Sequence, residues 1–226
     1  MKFELALFIK NNKILNKIFR FVIKRKQKSS SNVFVLIKKD GTKIYNPKIK
    51  NLEIHFGGIN NYFEIKEPFN IKEKVSVTFL RDNAKLTIGN GLFARKLKIV
   101  LDKNTNISIG NYFGVNDVFM TTNGGIGTSI KIGNSCMFSL DVTLRTSDGH
   151  VIYDIENKEV INASKDITIE NRVWLCAKST VLKGAKLSAN TVVGYGAIVV
   201  DEFSEKNCII AGIPAKIVKE NIMWEE

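Results

Sequence analysis

The stretch IENRVWLCAKSTVLKGAKLSANTVVGYGAIV, residues 169–199, decides the fold. Stepping by six from Ile169 meets Leu175, Val181, Leu187, Val193 and Val199, so six positions in strict register are all branched aliphatics. A period of six fits neither an α-helix nor a plain strand, whose side-chain periods are 3.6 and 2. It fits a triangular coil. Each flat side is a short strand with one residue turned inward, a tight turn follows, and three sides make a rung of about eighteen residues. The rungs stack through parallel backbone hydrogen bonds, and the inward aliphatics pile into one continuous core. The same step upstream joins Ile132, Phe138 and Leu144, and separately Ile109 and Val115. Downstream, Glu205 breaks the pattern, and Ala211 and Ile217 are expected to restore it. Corner residues such as Gly133-Asn134, Gly184-Ala185, Ser188-Ala189-Asn190 and Gly194-Tyr195-Gly196 tolerate the turns this requires.

Working outward, the Ile-Gly corners at Ile88, Ile109 and Ile132 are 21 and 23 residues apart, a little over one rung. From Ile132 to Ile169 the gap is 37, and the excess falls in residues 149–166. A loop is therefore expected to leave the coil there, and loops on rigid scaffolds often carry chemistry. Residues 33–80 are rich in β-branched and aromatic runs, with residues 54–61 an early, irregular coil. The all-β coil is expected to span 33–218, with a short helix in the tail 219–226. Residues 1–32 form a separate basic segment. Within it, Leu7, Ile14, Ile18, Phe21 and Val22 fall near one face of an amphipathic helix over 1–28, which Ser29 to Asn32 end.

Charge sharpens this division. The 226 residues carry 34 Lys and Arg against 22 Asp and Glu, a formal charge of +12. Nine of those cations lie in residues 1–28 beside the single acid Glu4, so the rest of the chain is only mildly basic. That argues against a nucleic-acid-binding body. The basic segment suits either peripheral contact with an anionic membrane face or packing against protein. Its apolar residues are too often interrupted by Lys for a secretory signal or a membrane span. Cys136, Cys176 and Cys208 are odd in number and far apart, which fits buried fillers in a reducing compartment. A cytoplasmic protein is expected, at most at the inner face of the membrane.

Three motifs carry a resemblance: Ser147-Asp148-Gly149-His150 leading into Ile152-Tyr153-Asp154, Asn171-Arg172-Val173-Trp174-Leu175, and Ala211-Gly212-Ile213-Pro214-Ala215-Lys216. From about Ile88 to Val218 the chain resembles the hexapeptide-repeat acetyltransferases, particularly the bacterial sugar and capsular-polysaccharide O-acetyltransferases. The resemblance implies a left-handed parallel β-helix, a homotrimer with active sites between subunits, acetyl-CoA as co-substrate and no metal. The sequence departs from the family at Cys176, where Gly is usual, and at Ala197 and Val200, where Ser or Thr is common.

Acetyl transfer to a hydroxyl needs a base for the hydroxyl proton, donors for the oxyanion and a slot for the pantetheine arm. The chain has two histidines. His150 follows Leu144 by one six-step and matches the family's catalytic His, so it is the expected general base; His55 reads as a strand surface residue. The resemblance assigns Trp174 to the wall of the active site, with its indole N–H a donor to substrate or oxyanion. It assigns Ala177, Gly184, Tyr195 and Ala197 to the coenzyme arm, and Lys216 and Lys219 to its phosphates. Ser147, Asp148, Tyr153 and Asn116 are candidates on the acceptor side, and Asp148 or Asp154 is a candidate to orient the imidazole. The acceptor is expected to be a surface glycan, one containing sialic acid suiting the basic chain.

Other readings are weighed by what they require. β-Helix carbonic anhydrases bind zinc through three histidines, one more than this chain has. Sugar-nucleotide N-acetyltransferases often add an α/β nucleotide-binding domain, and no Gly-rich strand-turn-helix appears here, so O-acetylation leads N-acetylation. A covalent acyl-enzyme would fall to Cys176, which has no evident base. A non-catalytic β-helix scaffold is opposed by the pairing of His150 with Trp174.

Overall fold

A computed structural model describes residues 31–225, and the unit running from Asn32 onward is the subject here. The helix expected over residues 1–28 lies outside the described residues. From Val33 the chain winds as stacked parallel rungs with three sides, and three aliphatic columns fill the interior. On the first side Ile65, Ile88, Ile109, Ile132, Ile169 and Leu187 lie in register. On the second side the column is Ala94, Val115, Phe138, Leu175, Val193 and Ile210. On the third it is Val77, Ile99, Met120, Leu144, Val181 and Val199. Every member of these columns is buried, which is what the six-residue step demands.

The rungs are not uniform. Ile169 pairs with Leu187 eighteen residues on, whereas Ile65 to Ile88 takes 23. In the wider rungs the second and third sides run together as long strands, Phe69–Phe79, Leu92–Leu101 and Gly114–Thr121. Each wide side turns two residues inward, as Phe63 and Ile65 do, so the local period is 2 and not 6. Phenylalanines fill the extra space: Phe34 stacks on Phe63 at 4.8 Å and Phe56 on Phe79 at 4.9 Å. Leu52–Phe56, a β-rich run that overlaps the coil expected to be irregular over 54–61, is a regular strand paired in parallel with Val75–Phe79. Its His55 points outward, exposed.

Two corrections fall at the far end. Phe203, not Glu205, pairs with Leu187 and fills the first-side column, shortening that rung by two residues. Ile210 then takes the second-side place expected of Ala211. Gly212 at φ 100° and Pro214, which has no N–H, turn the chain back. Strand Ala215–Lys219 pairs antiparallel with Ile209–Gly212, setting Ile217 opposite Ile210 rather than in a new rung. The tail after Lys219 contains no helix among the described residues, and a strand occupies the place where a helix would begin. At the near end Val33–Ile37 turns back into Lys43–Tyr45. An antiparallel hairpin thus covers one side of the stack at each end, where an open strand edge could otherwise pair with another chain.

Corners between the first and second sides repeat a glycine and an asparagine. Asn111 Oδ1 accepts the Asn90 N–H at 3.1 Å, Asn134 Oδ1 that of Asn111 at 2.8 Å, and Asn171 Oδ1 that of Asn134 at 2.8 Å. The glycine is needed because consecutive rungs touch there. A Cβ on Gly110 would lie 2.6 Å from the carbonyl carbon and oxygen of Gly133, and backbone cannot swing aside. Gly110→Ala is therefore expected to lower unfolding stability by about 1–3 kcal/mol, the usual cost of overpacking. A chemical-denaturation midpoint equal to the wild type's would show that the corner relaxes freely.

Candidate active site

The third side of the rung that precedes the loop ends with strand Val142–Arg145. Thr146 follows, fully buried, its hydroxyl accepting a hydrogen bond from the Thr128 hydroxyl at 2.8 Å. The Lys165 N–H donates to the Thr146 carbonyl at 3.1 Å, closing the neck of a loop that returns to the coil at Ile167–Ile169. The Asp166 carboxylate accepts the Ser129 N–H at 2.7 Å and anchors the return. Residues 147–164 therefore stand outside the neck, beginning two residues before the expected start. Ile132 still pairs with Ile169 across the excursion, so the coil continues beneath it unbroken.

At the loop's base lies a cavity of about 230 Å³ lined by His150, Ser147, Gly149, Tyr153, Val160, Asn162 and neighbouring residues. His150 is exposed, and among the described residues nothing hydrogen-bonds its imidazole. Ser147, expected on the acceptor side, is buried and its hydroxyl accepts the Gly149 N–H at 2.9 Å. It shapes the turn that presents His150, which Gly149 completes at φ 89°. Tyr153 is exposed and bridges Val160 across the loop.

Neither aspartate expected to orient the imidazole does so. Asp148 lies 2.6 Å from Lys183 Nζ and 2.9 Å from Asn162 Nδ2. The Lys183 hydrogen bond chiefly, then that of Asn162, holds the Asp148 carboxyl below its ordinary range. Asp154 accepts the Glu156 and Asn157 N–H groups at 2.9 and 3.1 Å and serves the loop's own turn.

The second cluster runs along the second side to the corner that follows it. Trp174 lies on strand Trp174–Leu175, half-buried, its Nε1–H directed at the Ser139 hydroxyl at 3.5 Å. Its ring stands 5.9 Å from that of Trp224. Trp224 is buried, donates Nε1–H to the Arg172 carbonyl at 3.1 Å, and accepts from Arg172 Nη2 at 3.1 Å. Sequence reasoning missed Ser139 and Trp224, since no periodicity marks a hydroxyl one rung away or a single aromatic in the tail.

Ala177 and Tyr195 stack at that same corner, where the Gly196 N–H donates to the Ala177 carbonyl at 3.0 Å. Tyr195 is exposed with the Lys178 ammonium 5.7 Å over its ring. Asn116 is half-buried two rungs earlier, where Gly114–Thr121 bends from the second side to the third. Gly184 departs from this group. It sits at the loop's neck, its N–H bonded to the Asp166 carbonyl at 2.9 Å. Ala197 is 1% exposed and packs in the core, its carbonyl accepting the Thr180 N–H at 2.9 Å. Lys216 is exposed and 3.5 Å from Asp201, and Lys219 is exposed at the end of the last strand. Burial pushes the Cys176 thiol up, which keeps it protonated and unsuited to nucleophilic attack.

No protein-family profile matches the chain. Among curated proteins it is 35% identical over 145 residues to a polysialic acid O-acetyltransferase of Escherichia coli O1:K1 / APEC, covering 64% of this chain and 43% of that protein. A polysialic acid O-acetyltransferase of Neisseria meningitidis is 50% identical over 95 residues, covering 42% and 44%. The chain thus spans less than half the length of these curated relatives. The crystal structure of the polySia specific acetyltransferase NeuO superposes with a TM-score of 0.74 at 32% identity, covering 87% of this chain and 86% of that one. Identity at that level across almost the whole of a solved acetyltransferase, on a coil built by a six-residue repeat, means that this chain belongs to the hexapeptide-repeat acetyltransferases.

Proposed function

We propose that the chain transfers an acetyl group from acetyl-CoA to a hydroxyl of a glycan that contains sialic acid. The observation that carries this reading is His150, whose imidazole has no hydrogen-bond partner among the described residues, in a cavity on a loop whose base is tied to a rigid coil. The choice of acceptor rests on two relatives named for O-acetylation of polysialic acid. In the proposed reaction the imidazole takes the hydroxyl proton as the oxygen bonds to the thioester carbonyl carbon. The tetrahedral intermediate then collapses, the C–S bond breaks, and the proton passes from the imidazolium to the sulfur. An acetyl ester and free CoA result, with no acyl-enzyme.

Within one chain His150 stands at the corner after the third side, while Trp174 stands on the second side and Ala177 and Tyr195 at the corner that follows it. We read that separation as two halves of a site shared between copies of a left-handed coil in a homotrimer, with the pantetheine arm laid along the Ala177–Tyr195 corner. We place the enzyme in the cytoplasm, with the basic segment 1–28 resting on the inner face of the membrane. No helix among the described residues is long and apolar enough to cross a membrane.

The test follows CoA release with a thiol-reactive dye across sialylated and neutral glycans. Release that depends on a sialylated acceptor is the expected result. If no glycan supports release and calorimetry shows no acetyl-CoA binding, the reading is wrong.

A further inference from the structure

Asn162 was no candidate in the sequence, yet it makes more hydrogen bonds around the His150 turn than any residue assigned there. Its Oδ1 accepts the Ile152 N–H at 2.7 Å. Its Nδ2 donates to the His150 carbonyl at 2.8 Å and to Asp148 Oδ2 at 2.9 Å. One carboxamide thus uses both of its donors and its acceptor on three alternate residues of the outgoing chain. Asn162 itself lies on the returning chain, so these bonds close the loop across its base. Lys183 then fixes the closure to the coil. From the following rung its Nζ reaches Asp148 Oδ2 at 2.6 Å and the Asn162 carbonyl at 2.8 Å. The Lys183 side chain is only 20% exposed, which shields this pair more than an open surface pair.

We infer that Asn162 and Lys183 form a latch that holds the His150 backbone at the angle needed for proton abstraction, making both of them positioning residues. The inference rests on His150 being the general base. Among the described residues nothing hydrogen-bonds the exposed imidazole, so the backbone turn is what places it, and the latch grips that turn at the His150 carbonyl, the Ile152 N–H and the Asp148 side chain. An aspartate at 162 would not serve, because it has no hydrogen to give to the His150 carbonyl and would repel Asp148.

The experiment compares wild type, Asn162→Ala, Asn162→Asp, Lys183→Met and His150→Ala in acetyl-CoA turnover. Loosening a reacting group by about an ångström costs up to ~100-fold in rate. Both Asn162 variants are therefore expected to lose ~10- to 100-fold in kcat, with KM for acetyl-CoA within about twofold. With only two histidines in the chain, ¹⁵N-labelled imidazole spectra add a direct readout. The His150 signals broaden or multiply in the Asn162 variants while those of His55 stay put, which a general loss of stability would not produce. Lys183→Met repeats the effect more weakly and keeps the test open if the Asn162 variants fold poorly. An inactive His150→Ala beside Asn162→Ala and Lys183→Met of wild-type kcat and unchanged His150 signals overturns the latch alone. An active His150→Ala overturns the base and the latch together.

Discussion

Replacing His150 with alanine is expected to lower kcat for acetyl transfer by ~10²- to 10⁴-fold, the range that a positioned general base contributes. Acetyl-CoA binding should survive, because the positions matched to the coenzyme arm at Ala177 and Tyr195 lie at a different corner of the coil. Calorimetry with acetyl-CoA, run beside the turnover assay, separates the two. A loss of binding equal to the loss of rate would mean that His150 shapes the donor site. His55→Ala is the internal comparison: its exposed place on Leu52–Phe56 predicts turnover close to wild type.

The largest effect on stability is expected from Phe138→Ala. Phe138 is fully buried on the second side, in register with Val115 below and Leu175 above, and meets Phe113 edge-on at 4.9 Å. Truncating a packed phenylalanine typically costs about 3–5 kcal/mol, through lost burial and through the cavity left behind. For a domain of this size that is a fall in Tm on the order of 10 °C, read by circular dichroism on heating. Stacked rungs contact only their neighbours, so the loss should be felt first between the loop-bearing rung and those beside it. A shift of under a degree or two would mean that the rungs close over the gap.

How much of this was legible in the sequence varied with the local period. From Ile169 to Val199 one inward residue per side gives a strict step of six, and the columns could be read directly. Before Ile132 the wide rungs turn two residues inward per side, so alternation hides the step and only Ile109 and Val115 stood out. At the far end Phe203 took the place of Glu205 because a bulky aromatic satisfies the column two residues early, and counting cannot foresee a shortened turn. Burial was no more legible at Ala197: a small residue beside a glycine corner looks exposed, but it packs in the core. The loop that carries His150 was legible because its excursion widens the spacing between Ile132 and Ile169. Asn162 and Lys183 were not, since their partners sit 10 to 35 residues away and depend on how the loop folds back.

The chemical nature of the product decides between an acetyl ester and an acetyl amide. The chain, acetyl-CoA and an oligosialic acid would be incubated, and the glycan examined by mass spectrometry before and after mild alkali. A gain of acetyl groups that alkali removes is the predicted result, because an ester on a hydroxyl is alkali-labile. Acetyl groups that survive the alkali would identify an amide and contradict O-acetylation. A glycan recovered unmodified, under conditions where acetyl-CoA is bound, would contradict the proposed acceptor.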